Sequence, residues 1–292
     1  MIYADYNGSA PLSSSVKDYL IKRLEKGPFA NPNAIHYLGA KTMMGMENAR
    51  SVCAKVLGAD FDQLVFNSGA TEGISTVFHS ILGCDKNTKK IIIISGIEHS
   101  AIVNTAHYYA SEKGYTVKTL PVTSDGLVNV KILKSWLLEH GTNIALVSVM
   151  AANNETGVIQ PYQEINSLCL SNKIPFLCDT TQFIGKTPFN FKESNFDFAV
   201  CSGHKLGAMT GTGILLVKDP SSLKPLIIGG GQEKGHRGGT QNYLGNETLA
   251  VALNSINESF ENIELLSKKR LAFESPLPPD FQQILKLLEK DS

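Results

Sequence analysis

The chain has 292 residues, 42% hydrophobic and 18% charged, and its 27 basic side chains are balanced by 27 acidic ones. That composition belongs to a globular protein long enough to bury a core, and it excludes a disordered or fibrous chain. The charges are scattered and cancel, so there is no basic footprint for nucleic acid or an acidic membrane surface.

The first residues, MIYADYNGSAP, hold no basic stretch leading into an apolar one, so the sequence predicts no signal peptide. The longest continuous apolar candidate, residues 91–94, falls far short of the roughly 20 residues of a membrane helix. The cytoplasm is the default compartment. Strand-like runs then alternate with helical ones. Residues 64–66 lead into NSGATEG and a helix, and 90–95 lead into IEHS and a helix near 101–113. Residues 116–120 read as a strand, 144–150 end in AANNETG, and 174–179 end in CDTTQ. Residues 196–201 end in SGHK, and 212–217 follow a glycine-rich turn. A helix is expected over about 246–270, then the breaker SPLPPD, then a short helix at 281–290.

This rhythm predicts an α/β fold with a largely parallel sheet. In such sheets ligands bind beyond the carboxyl ends of the strands. The polar clusters SGAT, EHS, NNETG, CDTTQ and SGHK all sit at those ends. Their convergence says more than any one of them. The five cysteines (Cys53, Cys84, Cys169, Cys178 and Cys201) form no CxxC pair, so neither a disulfide framework nor a zinc site is expected.

Each cluster suggests chemistry and also admits a plainer reading. Lys205, at a strand end, suits a Schiff base with a carbonyl cofactor, or is a solvated surface lysine. Asp179 suits a protonated pyridine nitrogen, or caps a turn. Ala70 and Thr71 open a helix that can cradle a phosphate, or form an ordinary N-terminus. His99 can stack on a flat ring and exchange protons, or is a loop histidine. The amides of Asn154 and Gln182 can reach a ring oxygen. Arg237 and Thr240, in GGGQEKGHRGGTQN, are suitable phosphate donors, or belong to a surface loop.

Taken in order, YADYNGSAP, NPNAIHYLG, FNSGATEG, IEHSAI, NNETGVIQP, CDTTQFIGK, CSGHKLGAMTGTGILLV and GGGQEKGHRGGTQN resemble the cysteine desulfurase branch of the class V aminotransferase family. The resemblance runs from residue 1 to about 270. It implies the fold-type I large domain of pyridoxal 5'-phosphate enzymes, with the small C-terminal domain largely missing. It divides the chain into an N-terminal small-domain segment (1–15), a cofactor-binding large domain (16–262) and the start of the small domain (263–292). By the same resemblance Lys205 carries the cofactor as an imine, Asp179 faces the pyridine nitrogen and His99 stacks on the ring. Asn154 and Gln182 contact the ring oxygen, and Ala70, Thr71, Ser202 and His204 hold the phosphate. Thr240 reaches the cofactor of a second subunit, which implies a homodimer.

The implied reaction takes L-cysteine to L-alanine and passes sulfur to an acceptor or scaffold protein for iron–sulfur cluster or thio-cofactor assembly. Family members carry the nucleophilic cysteine on a loop, and a substrate-binding arginine, beyond the point where the resemblance ends. None of the five cysteines matches that nucleophile, and Cys201 reads as core. Desulfuration is therefore expected to be absent or weak. Transamination, β-elimination, or a non-catalytic role as a subunit of the same fold remain as alternatives.

Overall fold

The computed structural model describes residues 2–84, 87–256 and 263–275. Its strands, in chain order, are β1 (Leu64–Asn67), β2 (Ile91–Ser95), β3 (Thr116–Leu120), β4 (Ile144–Ser148), β5 (Phe176–Asp179), β6 (Phe198–Ser202) and β7 (Gly213–Val217). The helices are α1 (Ser14–Lys26), α2 (Tyr37–Val56), α3 (Ala70–Leu82), α4 (Ser100–Lys113), α5 (Val130–His140), α6 (Tyr162–Ser171), α7 (Phe191–Ser194), α8 (Tyr243–Ile256) and α9 (Ile263–Glu274).

Successive strand side chains point to opposite faces. In β2, Ile91 and Ile93 therefore enter one core while Ile92 and Ile94 enter the other. The same division recurs in β6, with Ala199 and Cys201 against Phe198 and Val200, and in β7, with Ile214 and Leu216 against Leu215 and Val217. Strands apolar on both faces belong in a sheet covered on both sides. Helices α3 and α4 pack together over one face, and α2 packs along α8 over the other, with α1 beside α8.

The sheet order is β1-β7-β6-β5-β4-β2-β3. The pairs β3/β2, β2/β4, β4/β5 and β5/β6 are parallel, and β7 lies antiparallel between β6 and β1. The expected largely parallel α/β sheet is thus present. Two strands are shorter by two residues than the sequence suggests. β4 ends at Ser148, and the Met150 amide leaves the ladder to bond the Glu98 side chain at 2.9 Å. β5 begins only at Phe176, because Ile174 bonds back to Cys169 and Pro175 has no N–H to offer. The helix expected over 246–270 starts earlier, at Tyr243, and is described as α8 and α9, with 257–262 outside the described residues. The helix expected at 281–290 also lies outside them. Among the described residues no helix is long and apolar enough to cross a membrane.

One close approach fixes how β1 hands over to α3. A Cβ added at Gly213 would lie 2.5 Å from Gly69 Cα and 2.6 Å from Asn67 Oδ1. Gly69 itself has φ 149°, a conformation that favours glycine. We expect Gly213→Ala to destabilise the protein by about 1–3 kcal/mol in urea unfolding, as overpacking does. An unchanged midpoint would show that the two turns do not touch.

Candidate functional site

Six strands, β1 to β6, end at one edge of the sheet, and five of them deliver a polar segment to it. β1 delivers Ser68–Gly69 and the start of α3. β2 delivers Glu98 and His99, and β4 delivers the turn with Asn153 and Asn154. β5 ends in Asp179, and β6 ends in Ser202 and the single helical turn Gly203–Lys205. Between them lies a cavity of about 470 Å³. Of the residues expected at the site, Ala70, Thr71, His99, Asn154, Asp179, Gln182, Ser202, His204 and Lys205 all line it. Thr240 does not; it is exposed on the glycine-rich segment.

One end of the cavity is built to receive an anion. Gly69 stands at the N-cap of α3 and has no side chain to cap the helix. The Ala70 amide donates to Ser202 Oγ at 2.8 Å, tying α3 to the end of β6. Thr71 is exposed in the first turn, and His204 lies alongside, its pKa lowered by burial and by the charge of Lys205. Arg237, a suitable phosphate donor by its sequence, does not line the cavity. Its Nε bonds Glu72 Oε1 at 2.9 Å, so its charge is already engaged. Burial works to raise the Glu72 carboxyl, but hydrogen bonds from Arg237 and Ser68 hold it below its ordinary value.

Asp179 is buried, and its Oδ1 accepts the Thr181 amide at 2.9 Å. Burial raises its pKa above the ordinary value, opposed by the Thr181 hydrogen bonds and by the charge of Lys205. It is the group that would gain most from a cationic partner in the cavity.

Lys205 Nζ donates to the carbonyls of Asn7 (2.5 Å) and Gly8 (2.9 Å). The extended N-terminal segment therefore closes over it. That segment is knitted in by Gln182 Nε2 to Asn7 O (3.1 Å), and by Lys186 Nζ, which reaches Asn7 Oδ1 (2.8 Å) and Gln182 Oε1. Burial and the charge of Lys205 together lower the Lys186 ammonium. His99 is the N-cap of α4; its Nδ1 accepts the Ala101 amide at 3.1 Å, which fixes the ring at the cavity. Asn154 Nδ2 donates to Glu155 Oε1 at 2.6 Å.

Sequence reasoning missed three contributors. Asp5, Asn7 and Gly8 form a wall of the cavity, although YADYNGSAP was visible as a motif. Thr181, between two expected site residues, also lines it. Glu98, beside His99 in the same tripeptide, lies behind it with a buried carboxyl oxygen.

The cysteines are elsewhere. Cys53, Cys169, Cys178 and Cys201 are buried, Cys84 is partly buried, and none lines the cavity. Burial, with a smaller contribution from Asp179, pushes the Cys201 thiol up to about 12, as expected of a core residue. Burial likewise raises Cys53, Cys169 and Cys178.

The chain matches the family model described as "Aminotransferase class-V" over residues 2–270. It is 38% identical over 242 residues to "Cysteine desulfurase IscS" of Rickettsia prowazekii (strain Madrid E), covering 82% of this chain and 58% of that one. It is 34% identical over 270 residues to "Cysteine desulfurase IscS" of Dictyoglomus turgidum (strain DSM 6724 / Z-1310), covering 92% of this chain and 67% of that one. Among solved structures, a "NIFS-LIKE PROTEIN" superposes with TM-score 0.86 at 35% identity, over 93% of this chain and 75% of that one. "SspA in complex with cysteine" superposes with TM-score 0.81 at 32% identity, over 90% and 77%. The chain thus spans 58% of the length of the Rickettsia relative.

A thiol probe tests the burial pattern. In native protein we expect Cys84 alone to react quickly with a disulfide reagent, and the other four only on unfolding. Fast labelling of Cys201, located by mass spectrometry, would contradict its place in the core.

Proposed function

The chain belongs to the class-V aminotransferase family, and we propose that it holds pyridoxal 5'-phosphate at Lys205 and activates L-cysteine there, as a cysteine desulfurase-like protein. Family members of this kind are pyridoxal phosphate enzymes. The observation that carries the reading is the convergence of an anion-receptive helix start, a buried carboxyl and a lysine on one cavity. That donor set suits the cofactor. Thr71, Ser202, His204 and the α3 amides would hold its phosphate, Asp179 its ring nitrogen, and Asn154 and Gln182 its ring oxygen. When bound, the cofactor supplies an electron sink beside the substrate's amino group.

The protein's own residues do the rest. Asp179 holds a negative charge where water is excluded, so it favours a protonated ring nitrogen. Among the described residues Lys205 is the only lysine lining the cavity, and its Nζ would hold the cofactor and could afterwards move a proton. The Asn7 and Gly8 carbonyls orient that Nζ. With Nδ1 of His99 taken by the Ala101 amide, proton exchange at that ring falls to Nε2. Since no cysteine lines the cavity, the sulfur acceptor is a thiol from another segment or from a partner protein.

The solved complex of SspA with cysteine supports L-cysteine as the substrate, and the names of the relatives support a role in supplying sulfur for iron–sulfur or thio-cofactor assembly. A cytoplasmic homodimer completes the proposal. Thr240 is exposed beside large exposed apolar residues, Ile227, Ile228, Ile35 and Tyr37, and the Asn33–Gln241 hydrogen bond of 2.7 Å joins the two segments that carry them. That surface supports Thr240 reaching a second subunit's cofactor. Exposed Leu265, Leu271 and Phe273 on α9 support reading 263–292 as part of a smaller second domain, to which 1–15 also contributes.

The missing cavity thiol favours one second reading, β-elimination, in which cysteine yields pyruvate instead of alanine. Two measurements test the proposal. Added pyridoxal phosphate should give a visible absorption band that Lys205→Ala lacks. Asp179→Ala should weaken cofactor binding at least tenfold, about 1.4 kcal/mol. No band in folded protein would overturn the cofactor assignment. With L-cysteine, we expect the band to change with at most slow turnover. Alanine supports the desulfurase reading, and sustained pyruvate replaces it with elimination.

A further inference from the structure

Glu98 has no part in the scheme above, yet it is placed unlike any other acidic residue of the site. Its Oε1 accepts from Ser95 Oγ, at the end of β2, and from the Met150 amide, just past β4, at 2.9 Å. Its Oε2 is sealed from solvent with no hydrogen-bond partner. No arginine or lysine pairs with it among the ion pairs of the described residues. The charge that bears on it is Asp179, which is negative.

A buried carboxylate oxygen without a partner is costly, and two like charges in one buried region are costlier still. One of the two carboxyls must hold a proton at neutral pH, and the surroundings decide which. Asp179 has the Thr181 amide and the positive charge of Lys205. Glu98 has two neutral donors on one oxygen and nothing on the other. We propose that Glu98 is a positioning residue held as an uncharged carboxylic acid, whose Oε1 pins the turn carrying His99 to the strand end beside Asp179. The proton sits on Oε2, and Asp179 keeps its negative charge.

The titratable groups around it agree. Burial raises the Glu98 carboxyl to about 8, against the hydrogen bonds from Ser95 and Met150 and with help from Asp179. Cys178, on β5, is pushed up by burial and by both carboxyls, so it adds no charge. From the turn itself the neighbour is His99. Asn153, on the β4 side, donates to the Ile97 carbonyl at 3.1 Å and draws the same two segments together.

The sign of the pH effect follows. The unfolded chain loses this proton near the ordinary carboxylate value, whereas the native protein keeps it up to about 8. The stability that the proton confers is complete below the ordinary value and is lost as pH rises toward 8. Glu98→Gln is neutral throughout and lacks this loss.

The role of Glu98 rests on the reading of the cavity as a cofactor site, but its protonation and its hold on His99 are measured on the protein without cofactor, so failure of the cofactor to bind is a separate result. Three measurements on wild type, E98Q and E98A decide it. The infrared difference between wild type and E98Q at neutral pH should show a carboxylic acid C=O stretch. The melting temperature of E98Q relative to wild type should rise by roughly 3–6 °C between pH 5 and 8.5. The His99 ring signals in NMR should stay in place in E98Q and shift in E98A. Absence of the acid stretch, a melting difference flat with pH, or equal displacement of His99 in both variants would each overturn the proposal. If E98A does not fold, the first two measurements and the His99 signals of E98Q still decide it.

Discussion

Everything at the site follows from a sheet that is buried on both faces. Its central strands carry isoleucine, leucine, valine and phenylalanine in both directions, and each such side chain contributes about 1.5–3 kcal/mol when fully buried. A polar side chain in mid-strand would forfeit that and leave itself unsatisfied. Polar chemistry is therefore driven to the strand ends. Because β2, β4, β5 and β6 run in one direction, and β1 joins them through the antiparallel β7, their carboxyl ends share an edge. The cavity is where those ends meet. β7, running the other way, brings Gly213 to the same edge, close against Gly69.

Three of the carboxyls near that edge show how far local partners decide charge. Glu72 is half-buried but paired with Arg237, and is held below its ordinary value. Asp179 has an amide and the Lys205 ammonium within range, which offset part of its burial. Glu98 has only neutral donors, so burial dominates. Depth alone would not rank them; what distinguishes them is who supplies the compensating hydrogen or charge. The same logic applies to Arg237. A guanidinium in a glycine-rich segment reads as available to an anion, yet here it is engaged by an acidic residue 165 positions earlier in the chain.

Legibility in the sequence divided along the same line between local and distant causes. The strands could be read because periodicity and β-branched runs are local; residues 116–120 were placed without error. The end of β4 could not, because it depends on Glu98 reaching across from another strand. The site residues were legible as a set because they lie at or just beyond strand ends, and the fold class says where strand ends go. The closure of the N-terminal segment over Lys205 was not legible. It is made by backbone carbonyls of Asn7 and Gly8, which leave no side-chain signature. Glu98 escaped notice because its histidine neighbour offered the more obvious chemistry.

The position of the thiols bears on how sulfur would leave such a site. A cysteine that attacks must be available as thiolate, which needs exposure and nearby positive charge. The buried thiols have the opposite surroundings: they lie in the core, and the charges that reach Cys178 and Cys201 are negative. Positive charge is gathered instead at the cavity, from Lys205 and the neighbouring Lys186. A thiol arriving from another segment or another protein could reach the cavity, whereas one built into the sheet could not. On the proposed reading, substrate activation and sulfur acceptance are therefore physically separable. The fixed strand ends serve the first, and the second falls to an acceptor that can approach the cavity and withdraw with its cargo.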